Sequence, residues 1–205
     1  MSPASPALDA LDAPLSGPAE LSVSRVRQEL LIAGSFQRCG ADGDARPCVR
    51  RISGGPIVEV GPGTLHVLLA LAHPGALVPS DAMHLVNRYV RPLLSALTKL
   101  GAKANYFGRD WISVNKRPVA WVGFAHDAQS GRAAFEALVA VSTPFATGAR
   151  ARRASFQGKA PGTLEEVLGR EIDADVLVET MARAYIETYG AACVRKELAA
   201  WTADA

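Results

Sequence analysis

One long stretch of helical periodicity, with strand-like runs on both sides of it, constrains the fold of this chain more than any other feature. Between residues 83 and 100, Met83, Leu85, Val86, Tyr89, Val90, Leu93, Leu94, Leu97 and Leu100 recur at three- and four-residue spacing. Ser80 is placed to cap the start, Asp81 adds favourable charge to the first turn, and Gly101 is placed to end it. Pro92 lies inside and predicts a kink or a split. Upstream, residues 20–32 read as strand. Residues 34–47, with Gly34, Gly40, Gly43 and Pro47, read as loop. Residues 49–52 and 56–60 read as short strands, and the apolar run 64–72 as a buried strand with antiparallel hairpin partners. Downstream come 104–107, then 111–114, a turn at Asn115-Lys116, and 118–125, which together read as a hairpin. Residues 135–142 alternate, with Phe135, Ala137, Val139 and Val141 on one side. Residues 146–162 read as a surface loop. Thr163 and Glu166 form a capping box for a short helix that Gly169 ends. A longer helix runs from near Asp173 to about Gly190, and 192–201 reads as a last short helix. This order predicts an α+β fold. Its sheet is mostly antiparallel, with one long helix after the first strands and C-terminal helices packed on it.

With 205 residues, 49% of them hydrophobic, the chain can bury a sizeable core, so residues 20–205 are expected to form one domain. Residues 1–19, rich in Pro, Ala, Ser and Asp, read as a flexible arm with a short helical turn at 8–11. The 22 basic and 20 acidic residues nearly cancel, which gives no basis for general nucleic-acid binding. One local basic cluster exists, Arg150, Arg152 and Arg153, in a loop where it can meet a nucleotide phosphate or an acidic carrier, or simply be solvated. Cys39, Cys48 and Cys193 show no CxxC spacing and read as reduced thiols of a cytoplasmic protein without a metal site; the alternative for the first two is a disulfide. No apolar run approaches the roughly 20 residues of a membrane span.

Residues 50–65 carry the chemistry. Arg50 and Arg51 run through Ile52 and Ser53 into Gly54-Gly55, and Gly61-Pro62-Gly63 follows. Paired glycines let a long thin ligand approach the backbone. Guanidinium groups can hold a phosphate or carboxylate through their planar fork. A tight hairpin with two solvated arginines is the plainer use of the same residues. The stretch resembles the RRxSGG loop of lipoate–protein ligases, and Gly54-Gly55 to Gly61-Pro62-Gly63 has the spacing of the GGxxxxHGPG loop of octanoyltransferases. Leu100-Gly101-Ala102 before Gly108-Arg109-Asp110, and Thr163 to Glu166 with Ala184-Tyr185 and Tyr189-Gly190, are similar to later parts of the same families over about residues 25–190.

The resemblance implies a biotin/lipoate ligase-like fold and a site for an acyl group such as lipoate or octanoate, with ATP. It also implies a lipoyl-domain-type carrier protein as partner. Arg50, Arg51, Ser53, Gly54, Gly55, Gly61, Gly63, Asp110 and Gly123 are the expected ligand-binding residues. The transfer groups are substituted, however. Where these families carry the lysine that polarises the acyl carbonyl, this chain has Pro118. Where octanoyltransferases carry a cysteine nucleophile it has Phe145, and the octanoyltransferase loop histidine falls on Val60. Lys116, two residues before Pro118, is the substitute amine within reach in sequence, although a solvated turn tip is its ordinary role. Three readings follow. The first is a degenerate site that binds an acyl or lipoyl-type ligand or a carrier protein with weak or no transfer. The second is an active ligase or acyltransferase using Lys116. The third is a non-catalytic interaction subunit whose pocket is filled by Trp121, Phe124 and Phe145.

Overall fold

The computed structural model describes residues 13–39, 46–81, 84–146 and 155–197. Among these, ten strands fall into two sheets. They are β1 (Ala19–Arg25), β2 (Leu30–Ala33), β3 (Cys48–Arg50), β4 (Val58–Val60), β5 (Thr64–Leu71), β6 (Ala104–Tyr106), β7 (Trp111–Val114), β8 (Arg117–His126), β9 (Ala133–Ala140) and β10 (Cys193–Arg195). Seven make the large sheet in the order β10-β1-β5-β9-β8-β7-β6, antiparallel except for the β1–β10 pair. The other three form a small sheet, β3-β2-β4, in which β3 runs parallel to β2. The helices are α1 (Leu85–Lys99), α2 (Leu164–Leu168) and α3 (Ala174–Tyr189). The α+β expectation with a mostly antiparallel sheet holds.

Two cores follow from sidedness. One face of the large sheet, with Leu65, Val67, Leu69, Phe135, Ala137 and Val139, packs on Tyr89, Val90 and Leu93 of α1 and on Leu177 and Met181 of α3. The opposite face, with Trp111, Trp121, Leu138 and Ala140, packs on Val26, on Leu30 and Ile32 of β2, and on Val49, Val58 and Val60. All eight residues of β5, and all eight of β9, are therefore buried. Covering on both sides is what permits a continuous apolar run in a strand.

Several expectations need correction. Residues 20–32 are two strands in two different sheets, and the short strands at 48–50 and 58–60 flank β2 instead of pairing with each other or with β5. The partners of β5 are β1 and β9, both antiparallel. Helix α1 passes through Pro92 unbroken. Proline leaves the Arg88 carbonyl without its helical donor, and the Tyr189 hydroxyl supplies one at 3.1 Å. The helix starts at Leu85, and Asp81 Oδ1 accepts from the His84 N–H at 3.1 Å. Residues 193–195 are strand instead of helix, because β10 completes the edge beside β1. Cys39 and Cys48 are disulfide-bonded, not reduced, which removes the thiol argument for a cytoplasmic location. The helical turn at 8–11 and the cluster Arg150, Arg152 and Arg153 lie outside the described residues. Among the described residues no helix is long and apolar enough to cross a membrane.

Candidate functional site

The arginine–glycine loop follows β3 directly. Arg50 ends that strand with its side chain exposed, and the next residue turns inward, its N–H donating to Ala33 O at 2.9 Å. Arg51 is 1% exposed. Its guanidinium lies 3.9 Å from the centre of the Trp121 ring. Nη1 donates to Ile32 O at 3.0 Å, and Nη2 to Gly54 O at 2.9 Å and Pro56 O at 2.8 Å, with a longer bond from Nε to Gly54 O at 3.2 Å. The planar fork is thus spent on carbonyls of the loop, and the ring beneath it adds a cation–π contact. Burial pulls this guanidinium down to about 10, and Glu136 and Asp110 act in the opposite direction, so it is cationic at neutral pH.

Two glycines make this stack fit. Gly55 has φ +106°, and a Cβ there would stand 2.7 Å from Arg51 Nη2 and 3.3 Å from Trp121 Cζ2. A Cβ on Gly123, one strand position past Val122, would overlap Trp121 Cη2 and stand 2.8 Å from Ser53 Oγ. The inner side of the glycine loop is therefore in contact with the protein's own Arg51 and Trp121.

Beneath Ser53 lies a buried carboxylate. Glu136 Oε2 accepts a bond from the Ser53 hydroxyl and another from the Ser53 N–H at 3.2 Å, and its Oε1 stands 3.7 Å from His66 Nε2. That last separation is longer than a direct hydrogen bond. Burial favours the neutral acid, but the neighbouring His66, Ser53 and Arg51 outweigh it and hold the carboxyl below its ordinary range.

At the other end of the space between the sheets, Phe145 stacks on Phe156 with ring centres 6.0 Å apart, and Trp111 meets Phe156 edge-on at 6.0 Å. Phe145 and Phe156 are buried, so one part of the stretch expected as surface loop enters the core. Gly61 and Gly63 turn the chain there, and Gly63 O accepts from Val141 N at 2.8 Å. Pro118 is buried opposite Ser113 on β7. Lys116 is exposed at the β7–β8 tip, where Asn115 (φ 50°) and Lys116 (φ 67°) form the tight turn.

No protein-family model matches this chain, and no curated protein matches it. Solved structures do. A bipartite lipoate protein ligase from Thermoplasma acidophilum, described with its E2 lipoyl domain, aligns with a TM-score of 0.70 over 95% of this chain and 80% of its own, at 14% identity. A T. acidophilum protein assigned as a lipoate protein ligase, with bound lipoic acid, gives 0.68 over 95% and 82%, also at 14%. Lipoate-protein ligase A bound with ATP gives 0.66 over 91% and 78%, again at 14%. The chain has the lipoate–protein ligase fold.

In this lipoate–protein ligase fold the residues singled out by sequence separate into groups. Arg51, Ser53, Gly54, Gly55 and Gly123 come together around Trp121. Arg50 and Asp110 are exposed, although the Asp110 charge is felt by Arg51 and its carbonyl accepts from Val122 N at 2.9 Å. Gly61 and Gly63 belong to the far end, and Lys116 lies outside the site. Glu136 escaped the sequence reading. Its signal was present: a single acid inside an otherwise apolar strand, AAFEALVA, on the face that alternation assigns to solvent. The small sheet side covers that face, so the acid is buried.

Proposed function

We propose that this chain is a lipoate–protein ligase-like binding domain with a degenerate transfer site. It takes an acyl- or lipoyl-type carboxylic acid, or a carrier protein bearing one, with weak or no transfer. One observation supports this reading: neither of the two cations singled out for an acyl carbonyl at the glycine loop, Arg51 and Lys116, is disposed to polarise it. Arg51 is committed to three backbone carbonyls. Lys116 is five residues from Trp121, roughly 16 Å at strand rise, which exceeds the reach of its side chain. Without such a cation the charge developing on the carbonyl oxygen goes uncompensated. The ligand and partner classes rest on what the similar structures are described with: lipoic acid, ATP and an E2 lipoyl domain.

The test is incubation with octanoate or lipoate, ATP and a lipoyl-domain acceptor, followed by mass spectrometry, alongside thermal melts with each acid. Stabilisation by an acid without acceptor modification is the expected result. A modified acceptor or an acyl-adenylate would overturn the degenerate-site reading and favour an active enzyme. The packing of Phe145, Phe156 and Trp111 favours a second reading, a non-catalytic interaction subunit with a filled pocket. Its mark is silence in both assays together with a defined oligomer by light scattering.

A further inference from the structure

The large-sheet face under Ser53 is unsuited to a plain hydrocarbon tail. Cross-strand register lays it out in two rows across β8, β9, β5 and β1: Gly123, Glu136, Leu68 and Ser22 in one, and Trp121, Leu138, His66 and Ser24 in the next. Residues directly opposite in a ladder project to the same side, so both rows face the small-sheet side. Four of these eight positions are polar and almost fully buried: Ser22 at 3% exposure, Ser24 at 6%, and His66 and Glu136 at 1%. The hydroxyls of Ser22 and Ser24 and the indole N–H of Trp121 make no hydrogen bond among the described residues. Buried polar atoms are ordinarily paired, and a surface shaped for hydrocarbon carries aliphatic side chains instead.

We infer that this face reads the far end of the bound acid, and that the ligand is a medium-chain carboxylic acid terminating in a neutral hydroxyl. The hydroxyl oxygen accepts a hydrogen bond from Ser22 or Ser24, and its O–H donates one to Glu136 Oε1. A neutral terminus fits better than a cationic one because the buried Arg51 cation already offsets the Glu136 charge. This inference rests on the acyl-binding reading above and assigns the tail specificity of the same site.

Calorimetric titration of the full chain with octanoate and with 8-hydroxyoctanoate tests it. The hydroxy acid is expected to bind at least about tenfold tighter, since a site built for a hydroxyl leaves its own polar groups unpaired around the analogue that lacks one. In the Ser22→Ala, Ser24→Ala double variant the preference falls to about threefold or less. Equal or tighter binding of octanoate by the unaltered chain overturns the inference and leaves the acyl-binding reading in place. Binding of neither acid overturns both. A preference for the hydroxy acid that survives in the folded double variant overturns the assignment to Ser22 and Ser24. The comparison on the unaltered chain decides the ligand class even if the variant fails to fold.

Discussion

Replacing Glu136 by alanine is expected to be the most damaging single change at the loop. The carboxylate is 1% exposed and is bound by both the hydroxyl and the N–H of Ser53. Its charge also offsets that of Arg51, itself 1% exposed. Removing it leaves a buried donor on Ser53 unpaired and a buried cation compensated by carbonyl dipoles, the Trp121 ring and the exposed Asp110. Breaking a buried charge pair from one side costs about 3–5 kcal/mol. At ~2–4 °C per kcal/mol for a chain of this size, the melting temperature should fall by ~6–20 °C. Glu136→Gln keeps an acceptor for Ser53 and should cost less than half as much. The ionisation has a pH signature as well. Because the folded carboxyl lies below its reference value of 4.5, its contribution is complete above that pH and is lost as pH falls through the folded value. The wild type should therefore lose stability below about pH 4.5 more steeply than the glutamine variant. Urea unfolding between pH 3 and 7 measures both effects. An alanine variant within about 0.5 kcal/mol of wild type, or parallel pH profiles, would refute the claim that an ionised Glu136 organises this loop.

Three further outcomes follow from contacts described above. Thiol titration of the denatured, unreduced protein should find Cys193 alone, and Cys48→Ser should cost roughly 2–3 kcal/mol, since the Cys39–Cys48 bond closes a nine-residue separation. Tyr189→Phe should cost about 1 kcal/mol in denaturant unfolding, and the penalty should shrink when Pro92→Ala restores a helical donor to the Arg88 carbonyl. Lys116→Ala should leave both the melting temperature and octanoate affinity within error; a loss of tenfold or more in affinity would bring the hairpin tip back into the site.

Patterns that depend on one element alone were readable from the sequence. The capping box of Thr163 and Glu166 is present, with Glu166 N donating to Thr163 Oγ1 at 3.1 Å, and Gly169 ends α2 in the left-handed region. The Trp111–Val114 hairpin and its Asn115-Lys116 turn also stand as expected. What failed depended on partners distant in sequence. Residues 20–32 gave no sign that the chain changes sheets near Val26, because both halves are apolar. Pro92 predicted a break, since the donor that rescues its turn lies on Tyr189, 101 positions from the carbonyl it serves. Arg51 looked like a free anion clamp beside Arg50. Only the fold reveals that one arginine is exposed and the other lies on Trp121. Glu136 alternated onto a face that a two-layer protein would hydrate, and the second sheet made it interior.

The pairing of Cys193–Arg195 with Ala19–Leu21 sets the order in which the protein can mature. While the polypeptide is still being synthesised, the open side of the first strand offers unsatisfied amides and carbonyls to whatever is nearby. That side is sealed only when residues some 170 positions later emerge and dock. A message cut short before that point would release a nearly whole molecule with an adhesive margin, a form suited to capture by chaperones or to clumping with its own kind.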